Sequence, residues 1–327
     1  MKKIMCILLT LLSVAFCLCG CAKPADAVVD STPDTEEKVE ELTMEEIKAI
    51  SDEFMGGIVT EEFAPSKLTM SKIVNYGEIV KSSYFSTTIN KNKNVIVLLP
   101  AGYDEAKEYP VMYVLHGIFG DETSMIGNGD SGLRILIGNM IADGLAEEMI
   151  VVFPAMFTSE TSDVCTAIDE ENSKAYDNFL NDLTVDLMPW LEENYSIKTG
   201  RDNTAVIGFS MGGRESLAIG LALADKFGYV GAIAPAPGLV PAQDWAMKHY
   251  GQYAEEDVKY PEYTPYLTLI CSGDNDHTVG TFPKSYHELY EKNGVNHVWY
   301  EISGSDHGDP AISSGIYNFC MNVFKAR

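Results

Sequence analysis

Apolar runs of strand length alternate with helical stretches over about 200 residues of this chain. The strand-like runs are residues 111–115, 149–153, 204–207, 229–234, 266–271 and 297–302. The helical stretches are residues 132–143, 176–194, 211–226, 282–293 and 312–324. Several of the strand-like runs are apolar on both faces, as strands covered by helices on each side must be. The alternation predicts an α/β fold with a doubly wound, mostly parallel sheet and helices on both faces.

The predicted sheet begins with an antiparallel pair. Residues 86–89 and 95–99 are strand-like, and the polar residues 91–94 between them predict a hairpin. From there to the C-terminus no stretch has the composition of a linker. We therefore expect one domain over residues 61–327.

The N-terminus has the parts of an export signal. Two lysines precede residues 4–18, an apolar run too short to span a bilayer comfortably. The run ends in Leu18-Cys19-Gly20-Cys21, which resembles a bacterial lipobox. We expect residues 1–21 to be a lipoprotein signal peptide and Cys21 to be the lipid attachment site. Two acyl chains there would anchor the protein extracytoplasmically to the bacterial cell membrane. An ordinary secretory signal and an uncleaved anchor are the alternatives.

Residues 22–60 predict an acidic, flexible tether. The stretch 24–41 is rich in Asp, Glu, Thr and Pro and nearly lacks large apolar residues, so it cannot bury enough surface to order itself. Later in the tether, residues 43–50 have helical spacing and Thr43 could cap a helix. Whether such a short helix docks on the domain stays open.

The charge balance excludes one class of partner. The chain carries 23 Lys and Arg against 48 Asp and Glu, a formal net charge of −25. Nucleic acid is not an expected partner, because a phosphate backbone needs a basic surface. An acidic surface also disfavours docking on anionic lipid, so the membrane contact should be the N-terminal lipid anchor. Nothing in the sequence predicts an oligomeric state.

The pentapeptide Gly208-Phe209-Ser210-Met211-Gly212 follows a strand-like run and opens a helical stretch. In that context G-x-S-x-G is typical of the nucleophile elbow of α/β hydrolases, a tight turn that lifts the serine clear of the backbone. Ser210 is therefore the expected nucleophile, and residues 61–327 are expected to be a single α/β-hydrolase catalytic domain. A chance pentapeptide in a glycine-bearing loop is the alternative.

The serine needs a base to take its proton, and this fold supplies its partners in the order Ser, Asp or Glu, His. His307 lies in the loop after the last strand-like run, where the fold delivers that histidine. The acid should follow the run at 266–271, and there both Asp274 and Asp276 are available. Spacing alone does not choose between these two carboxylates.

An oxyanion hole needs two backbone N–H groups aimed at the developing charge. Met211, directly after the nucleophile, should supply one N–H group, and Ile118 in the loop His116-Gly117-Ile118 should supply the other. We expect His116 to brace that loop by hydrogen bonding. No metal or organic cofactor is expected: the cysteines after the signal are far apart, and a calcium loop starting at Asp274 lacks the required glycine and glutamate.

From about Ser86 to the C-terminus, the chain resembles the esterase D-like putative esterases, and within them the feruloyl and acetyl-xylan esterases of carbohydrate esterase family 1. The stretches that carry the resemblance are residues 195–202, 205–213, 225–233, 294–297, 304–307 and 316–319. The resemblance implies that the acid is the last residue of Gly273-Asp274-Asn275-Asp276, and so selects Asp276. It also implies that His307 is the catalytic histidine.

The chain departs from this family at one wall of the acyl pocket. Many feruloyl esterases place an aromatic residue shortly after the catalytic histidine, whereas no aromatic residue follows His307 before Ile316. Phe119 and Phe157 are the expected substitutes as pocket walls. Arg214, which follows the glycines of the elbow, should face either solvent or the cleft.

These features predict a secreted, membrane-tethered serine esterase acting on feruloyl or acetyl esters of plant cell-wall polysaccharide or oligosaccharide. Acyl transfer to sugars and hydrolysis of siderophore esters are alternatives that keep the same chemistry. A non-catalytic binding lipoprotein is the alternative from another class, and the filled catalytic positions argue against it.

Overall fold

The computed structural model describes residues 42–72, 74–127 and 132–327. The strands in those residues are β1 Glu78–Ser86, β2 Lys91–Leu99, β3 Val111–Leu115, β4 Ile150–Pro154, β5 Thr204–Phe209, β6 Tyr229–Ile233, β7 Ala242–Gln243, β8 Lys248–His249, β9 Leu267–Gly273 and β10 Val298–Ile302. One sheet has the order β1-β2-β4-β3-β5-β6-β9-β10, and β7 pairs with β8 in a separate hairpin. In the large sheet β2 is antiparallel to both its neighbours, and the remaining pairs are parallel.

Helices cover both faces of this sheet. They are α1 Met44–Gly56, α2 Ser66–Thr69, α3 Leu133–Ala142, α4 Glu170–Asp177, α5 Phe179–Asp182, α6 Met188–Asn194, α7 Met211–Ala222, α8 Phe282–Lys292 and α9 Ala311–Asn322. Successive residues of a strand point to opposite faces, so each central strand feeds two cores. In β3, Tyr113 packs in the core under α4 to α8, whereas Met112 packs in the core under α1, α2, α3 and α9. The predicted doubly wound, mostly parallel sheet is confirmed.

The antiparallel hairpin lies slightly earlier in the chain than the sequence predicts. Residues 86–89 were expected to be a strand, but β1 ends at Ser86 and the next four residues form the turn. Asn90 takes a positive φ of 55°, a conformation that asparagine tolerates better than most residues. The Asp186 carboxylate accepts hydrogen bonds from Thr87 Oγ1 at 2.6 Å and Thr88 N at 3.1 Å, which holds the turn.

The stretch predicted as one helix over residues 176–194 is broken into shorter pieces. A π-helical turn, Leu183–Leu187, separates α5 from α6. Asp182 and Asp186 lie at or near the ends of that turn, and the carboxylates of both bind the β1–β2 hairpin. Hydrophobic spacing of period 3.6 does not reveal a π turn, because the turn changes the helical period over only a few residues.

The structure corrects the predicted extent of the tether. Residues 42–60 were expected to be flexible, yet α1 is an ordered helix whose first turn is closed by a capping box between Thr43 and Glu46. Its Ile47 and Met55 are buried, and Ser51 Oγ donates to the carbonyl of Thr264 at 3.3 Å. The helical spacing of residues 43–50 predicted the helix, but not that one face of it would be buried against the domain. That burial is why this part of the expected tether is ordered. The tether boundary therefore moves to about residue 42.

The predicted signal peptide, Cys21 and residues 22–41 of the predicted tether lie outside the described residues. Every helix in the described ranges is too short or too polar to cross a bilayer.

Docking of α1 should contribute measurably to stability. Replacing the buried Ile47 with Ala should lower the free energy of unfolding by about 2 kcal/mol or more, because it removes apolar contacts from a core. Glu53→Ala on the exposed side of the same helix is the matched control and should stay within about 0.5 kcal/mol of the wild type. Chemical denaturation of a chain starting at residue 42 measures both changes. Equal stability of the two variants would contradict a docked helix.

Candidate active site

The turn between β5 and α7 is built on close backbone contacts. A Cβ atom on Gly208 would lie 2.2 Å from the carbonyl oxygen of Gly212, and one on Gly212 would lie 2.4 Å from the carbonyl oxygen of Leu115. Both positions therefore require glycine. Ser210 sits at the tip of this turn with φ 57° and ψ −116°, a strained conformation typical of functional sites. Its N–H donates to Ile233 at 2.9 Å, which fixes the turn to β6.

His307 lies in the loop between β10 and α9 and contacts one of the two available carboxylates. Its Nδ1 is 2.7 Å from Oδ2 of the buried Asp276. The other oxygen, Oδ1, accepts the backbone N–H groups of Thr278 at 2.9 Å and Val279 at 3.1 Å. The carboxylate is thus fixed by two backbone donors, and it holds His307 with its Nδ1 proton toward the acid and Nε2 away from it.

Asp274, the alternative acid, is directed elsewhere. Its Oδ1 accepts the backbone N–H of Gly304 at 2.6 Å, and the side chain is exposed. The neighbouring Asp306 accepts the N–H groups of His277 and His307, which lower the pKa of its carboxyl. Both carboxylates therefore order the loop that carries His307, and Asp276 alone of the three contacts the imidazole ring.

The β5 turn and the His307 loop meet at the carboxyl edge of the sheet. The ring of Phe209 packs against the ring of His307 with centroids 4.5 Å apart. Among the described residues, neither Ser210 Oγ nor His307 Nε2 has a hydrogen-bond partner. Such contacts are often long in unliganded sites and tighten when substrate binds. Both atoms are thus free to act on a ligand.

The two predicted oxyanion donors flank Ser210. Met211 is the first residue of α7, so its N–H has no intrahelical acceptor. On the other side, a Cβ added to Gly117 would lie 3.4 Å from Ser210 Cβ, which places the loop carrying Ile118 directly against Ser210. The Ile118 N–H has no hydrogen-bond partner in the described residues.

His116 sets the orientation of that loop. Its Nε2 accepts the backbone N–H of Met156 at 3.0 Å, so the proton of the neutral ring lies on Nδ1, 2.7 Å from the carbonyl oxygen of Gly117. Burial lowers the pKa of His116 to about 4, which keeps the ring neutral at pH 7. Gly120 N–H donates to the same carbonyl at 3.1 Å. In a trans peptide C=O and N–H point in opposite directions, so the Ile118 N–H points away from both donors.

Phe119 and Phe157 line one cavity of about 350 Å³ beside this loop. Phe119 has a positive φ of 63°, and its side chain is 55% exposed. The Tyr176 hydroxyl accepts the Phe119 N–H at 3.1 Å, and its ring packs edge-on against the buried Phe157. The structure thus brings the two predicted pocket residues together through Tyr176, a residue that sequence reasoning did not single out.

Arg214 faces neither solvent nor the cleft; it is fully buried. Its guanidinium contacts Glu215 Oε1 at 2.6 Å, Asp177 Oδ1 at 2.5 Å and Ser173 Oγ at 3.0 Å. Gln252 donates to both carboxylates. Burial raises the pKa of Asp177, which lies at the partly exposed side of the cluster. An Arg-Glu pair inside an otherwise apolar helix was the sequence signal for this network.

Within the described residues no group of three or more His, Cys, Asp or Glu side chains is placed to hold a metal ion. Cys165, Cys271 and Cys320 are free thiols in the structure. The polar chemistry of the site rests on serine, histidine, carboxylate and backbone N–H groups.

Comparison with known proteins finds similarity to esterases. The chain is 29% identical over 214 residues to an endo-1,4-beta-xylanase/feruloyl esterase of Xylanibacter ruminicola, a match that covers 64% of this chain and 26% of that protein. The chain thus spans about a quarter of that curated relative's length.

Solved structures give a more complete match. A CE1 ferulic acid esterase from Anaeromyces mucronatus is 42% identical, with a TM-score of 0.79 over 82% of this chain and 99% of that chain. A feruloyl esterase module from Clostridium thermocellum is 22% identical, with a TM-score of 0.61 over 82% and 95% of the two chains, and supports the α/β-hydrolase fold alone. A family model described as putative esterase matches residues 86–304. The chain therefore belongs to the putative esterase family.

Proposed function

We propose that this protein is a serine esterase that hydrolyses feruloyl or acetyl esters on plant cell-wall polysaccharide. The observation that carries the proposal is the convergence of the strained Ser210 turn with the His307–Asp276 pair at one edge of the sheet. The names of the similar xylanase/feruloyl esterase and ferulic acid esterase support the substrate class.

The proposed reaction has two steps. Ser210 Oγ attacks the ester carbonyl carbon while His307 Nε2 takes the hydroxyl proton, and the N–H groups of Met211 and Ile118 bind the oxyanion that forms. The carbon–alkoxide bond then breaks, and His307 returns the proton to the leaving alcohol. Water, deprotonated by His307, attacks the acyl-serine and releases the carboxylic acid and Ser210. Asp276 keeps His307 oriented throughout and stabilises its charged form.

The acyl side is expected to be permissive. No aromatic residue follows His307 before Ile316, so one wall of a dedicated aromatic pocket is absent, and an apolar niche alone discriminates weakly between acyl groups. We therefore propose turnover of both acetyl and hydroxycinnamoyl esters, with a modest preference for feruloyl.

The cellular location is part of the proposal and is supported by the lipobox-like Leu18-Cys19-Gly20-Cys21. The enzyme would be exported, acylated on Cys21 and held at the outer surface of a bacterial membrane. Residues 22–41 would separate the domain from that membrane, since their like charges repel one another.

The catalytic assignment predicts a graded set of variants. Ser210→Ala should lower kcat/KM for methyl ferulate and p-nitrophenyl acetate by about 10⁴-fold or more, and Asp276→Asn should cost at least about 10³-fold. Asp274→Asn is the matched control and should stay near the wild type, because Asp274 contacts the Gly304 N–H and not His307. A loss in Asp274→Asn greater than in Asp276→Asn would show that the acid is misassigned. Circular dichroism confirms that each variant is folded.

The His116 contacts predict that the variants His116→Asn and His116→Gln differ in kcat. In His116→Asn an amide N–H can replace Nδ1 and still donate to Gly117, whereas His116→Gln places its amide near Nε2 and leaves that carbonyl with one donor fewer. We expect kcat to fall about tenfold or more in His116→Gln with little change in KM, since one oxyanion donor is worth 10²–10³-fold and the loss here is partial. His116→Asn should retain most of kcat. Equal kcat in both variants would contradict a positioning role.

The anchor predicts a fractionation result. In a bacterial host, the full-length protein should sediment with membranes, and the Cys21→Ser variant should either leave that fraction or stay unprocessed, because Cys21 is the predicted acylation site. A chain starting at residue 42 should be soluble and as active as the full-length enzyme. Mass spectrometry of the mature N-terminus is the decisive measurement, and a terminus other than Cys21 would refute the lipoprotein assignment.

A further inference from the structure

The cavity beside the His116–Gly120 loop forms where β4 ends before its neighbour β2 does. β4 ends at Pro154, whose register partner is Val95, whereas β2 extends past that point to Lys91. The last shared contact is the Ala155 N–H to the Asn94 carbonyl at 3.1 Å. Beyond it the edge of β2 is open toward the cavity. β4 lies two strand positions from β5, which carries Ser210 at its end, a separation of about 10 Å at the usual spacing of strands.

Unpaired polar side chains line this cavity. Asn92 and Asn94 are exposed, line the cavity, and make no side-chain hydrogen bonds to the described residues. Glu122 also lines the cavity and makes no side-chain hydrogen bond to the described residues. By contrast, the two lysines of the lining are neutralised: Lys91 binds Asp163 at 3.0 Å and Lys93 binds Asp182 at 2.8 Å. The cavity thus offers free amides and a negative charge.

Phe119 adds an apolar face to the same cavity. A phenylalanine in a left-handed conformation costs on the order of 1–3 kcal/mol unless its surroundings hold it there. Here the Tyr176 hydroxyl accepts its N–H, and Phe119 lies inside the turn that the Gly120 N–H closes onto the Gly117 carbonyl. The ring is more than half exposed and lines the cavity together with the free amides.

We propose that this cavity is a binding subsite for a neutral sugar ring on the alcohol side of the ester, which replaces the acyl-pocket role expected for Phe119 and Phe157. This specificity rests on the esterase function proposed above. Each amide can donate and accept, which matches neighbouring sugar hydroxyls, and the exposed Phe119 ring offers an apolar surface to the C–H face of a sugar. A volume of about 350 Å³ lies within the range of ligand pockets.

The charges of the lining select against two other occupants. The aromatic ring of a feruloyl group carries one hydroxyl and one methoxy oxygen, too few polar atoms to satisfy Glu122 and both amides once it desolvates them, which is unfavourable. An acidic sugar would be repelled by Asp121 and Glu122, because the positive charges nearby already have partners. A neutral glycosyl unit attached to the ester oxygen, or one unit further along, fits both constraints.

The experiment compares two substrates that share an acyl group. For each protein, kcat/KM is measured for a feruloylated neutral pentose oligosaccharide and for methyl ferulate, and the ratio of the two is taken. We expect the double variant Asn92→Ala/Asn94→Ala to lower this ratio about tenfold or more relative to the wild type, since two hydrogen bonds to the sugar are lost. Ser83→Ala, on β1 directly opposite Asn94 and outside the cavity, is the matched control and should leave the ratio unchanged.

A second variant tests the charge argument. The wild type should have a lower kcat/KM for an oligosaccharide ester that carries a uronic acid than for the neutral one. Glu122→Gln should bring the two values closer together, because it removes one negative charge. An unchanged ratio in the double variant, with melting temperature unaltered, would overturn the subsite. So would an equal loss on both substrates, because the cavity would then hold the acyl group. If the wild type hydrolyses neither of these esters nor p-nitrophenyl acetate, the proposed function itself fails, and that outcome is distinct from the other two.

Discussion

The close approach of β5, α7 and β3 at Gly208 and Gly212 is the contact on which the site depends. Backbone atoms pack there at distances that exclude any side chain. The same approach creates the turn that presents Ser210, starts α7 with a free N–H at Met211 and puts the His116–Gly120 loop against the nucleophile. One steric constraint thus places Ser210 next to both expected oxyanion donors, and the buried His116 side chain then orients the Ile118 N–H.

The remaining polar groups of the site are held mainly by backbone hydrogen bonds. Asp276 is fixed by the N–H groups of two following residues, and His116 is fixed between one N–H and one carbonyl. This arrangement follows from a sheet that is apolar on both faces, because polar side chains find room only where the strands end. The polar side chains of the site therefore lie at the carboxyl edge of the sheet, where backbone groups of the loops orient Asp276 and His116.

The sequence predicted the sheet and its helices and singled out Ser210 as the expected nucleophile, because each of these features has a local signature. The strand–turn–helix context identified Ser210, and loop position identified His307. Asp274 and Asp276 could not be separated by spacing, since the choice depends on which carboxylate the chain turns inward. The docking of α1 was open for a similar reason: its helical spacing is local, whereas the surface that buries Ile47 comes from residues far along the chain. The π turn and the buried Arg214 network likewise depend on long-range partners.

The Arg214 network joins three segments that are far apart in the sequence. Arg214 and Glu215 belong to α7, and Ser173 and Asp177 belong to α4. Gln252 lies in the chain that follows the β7–β8 hairpin. Removing one partner would leave a buried charge uncompensated. A segment grafted in from a relative must therefore bring residues that pair with the buried charges left behind. The three segments joined by this network would have to be exchanged together.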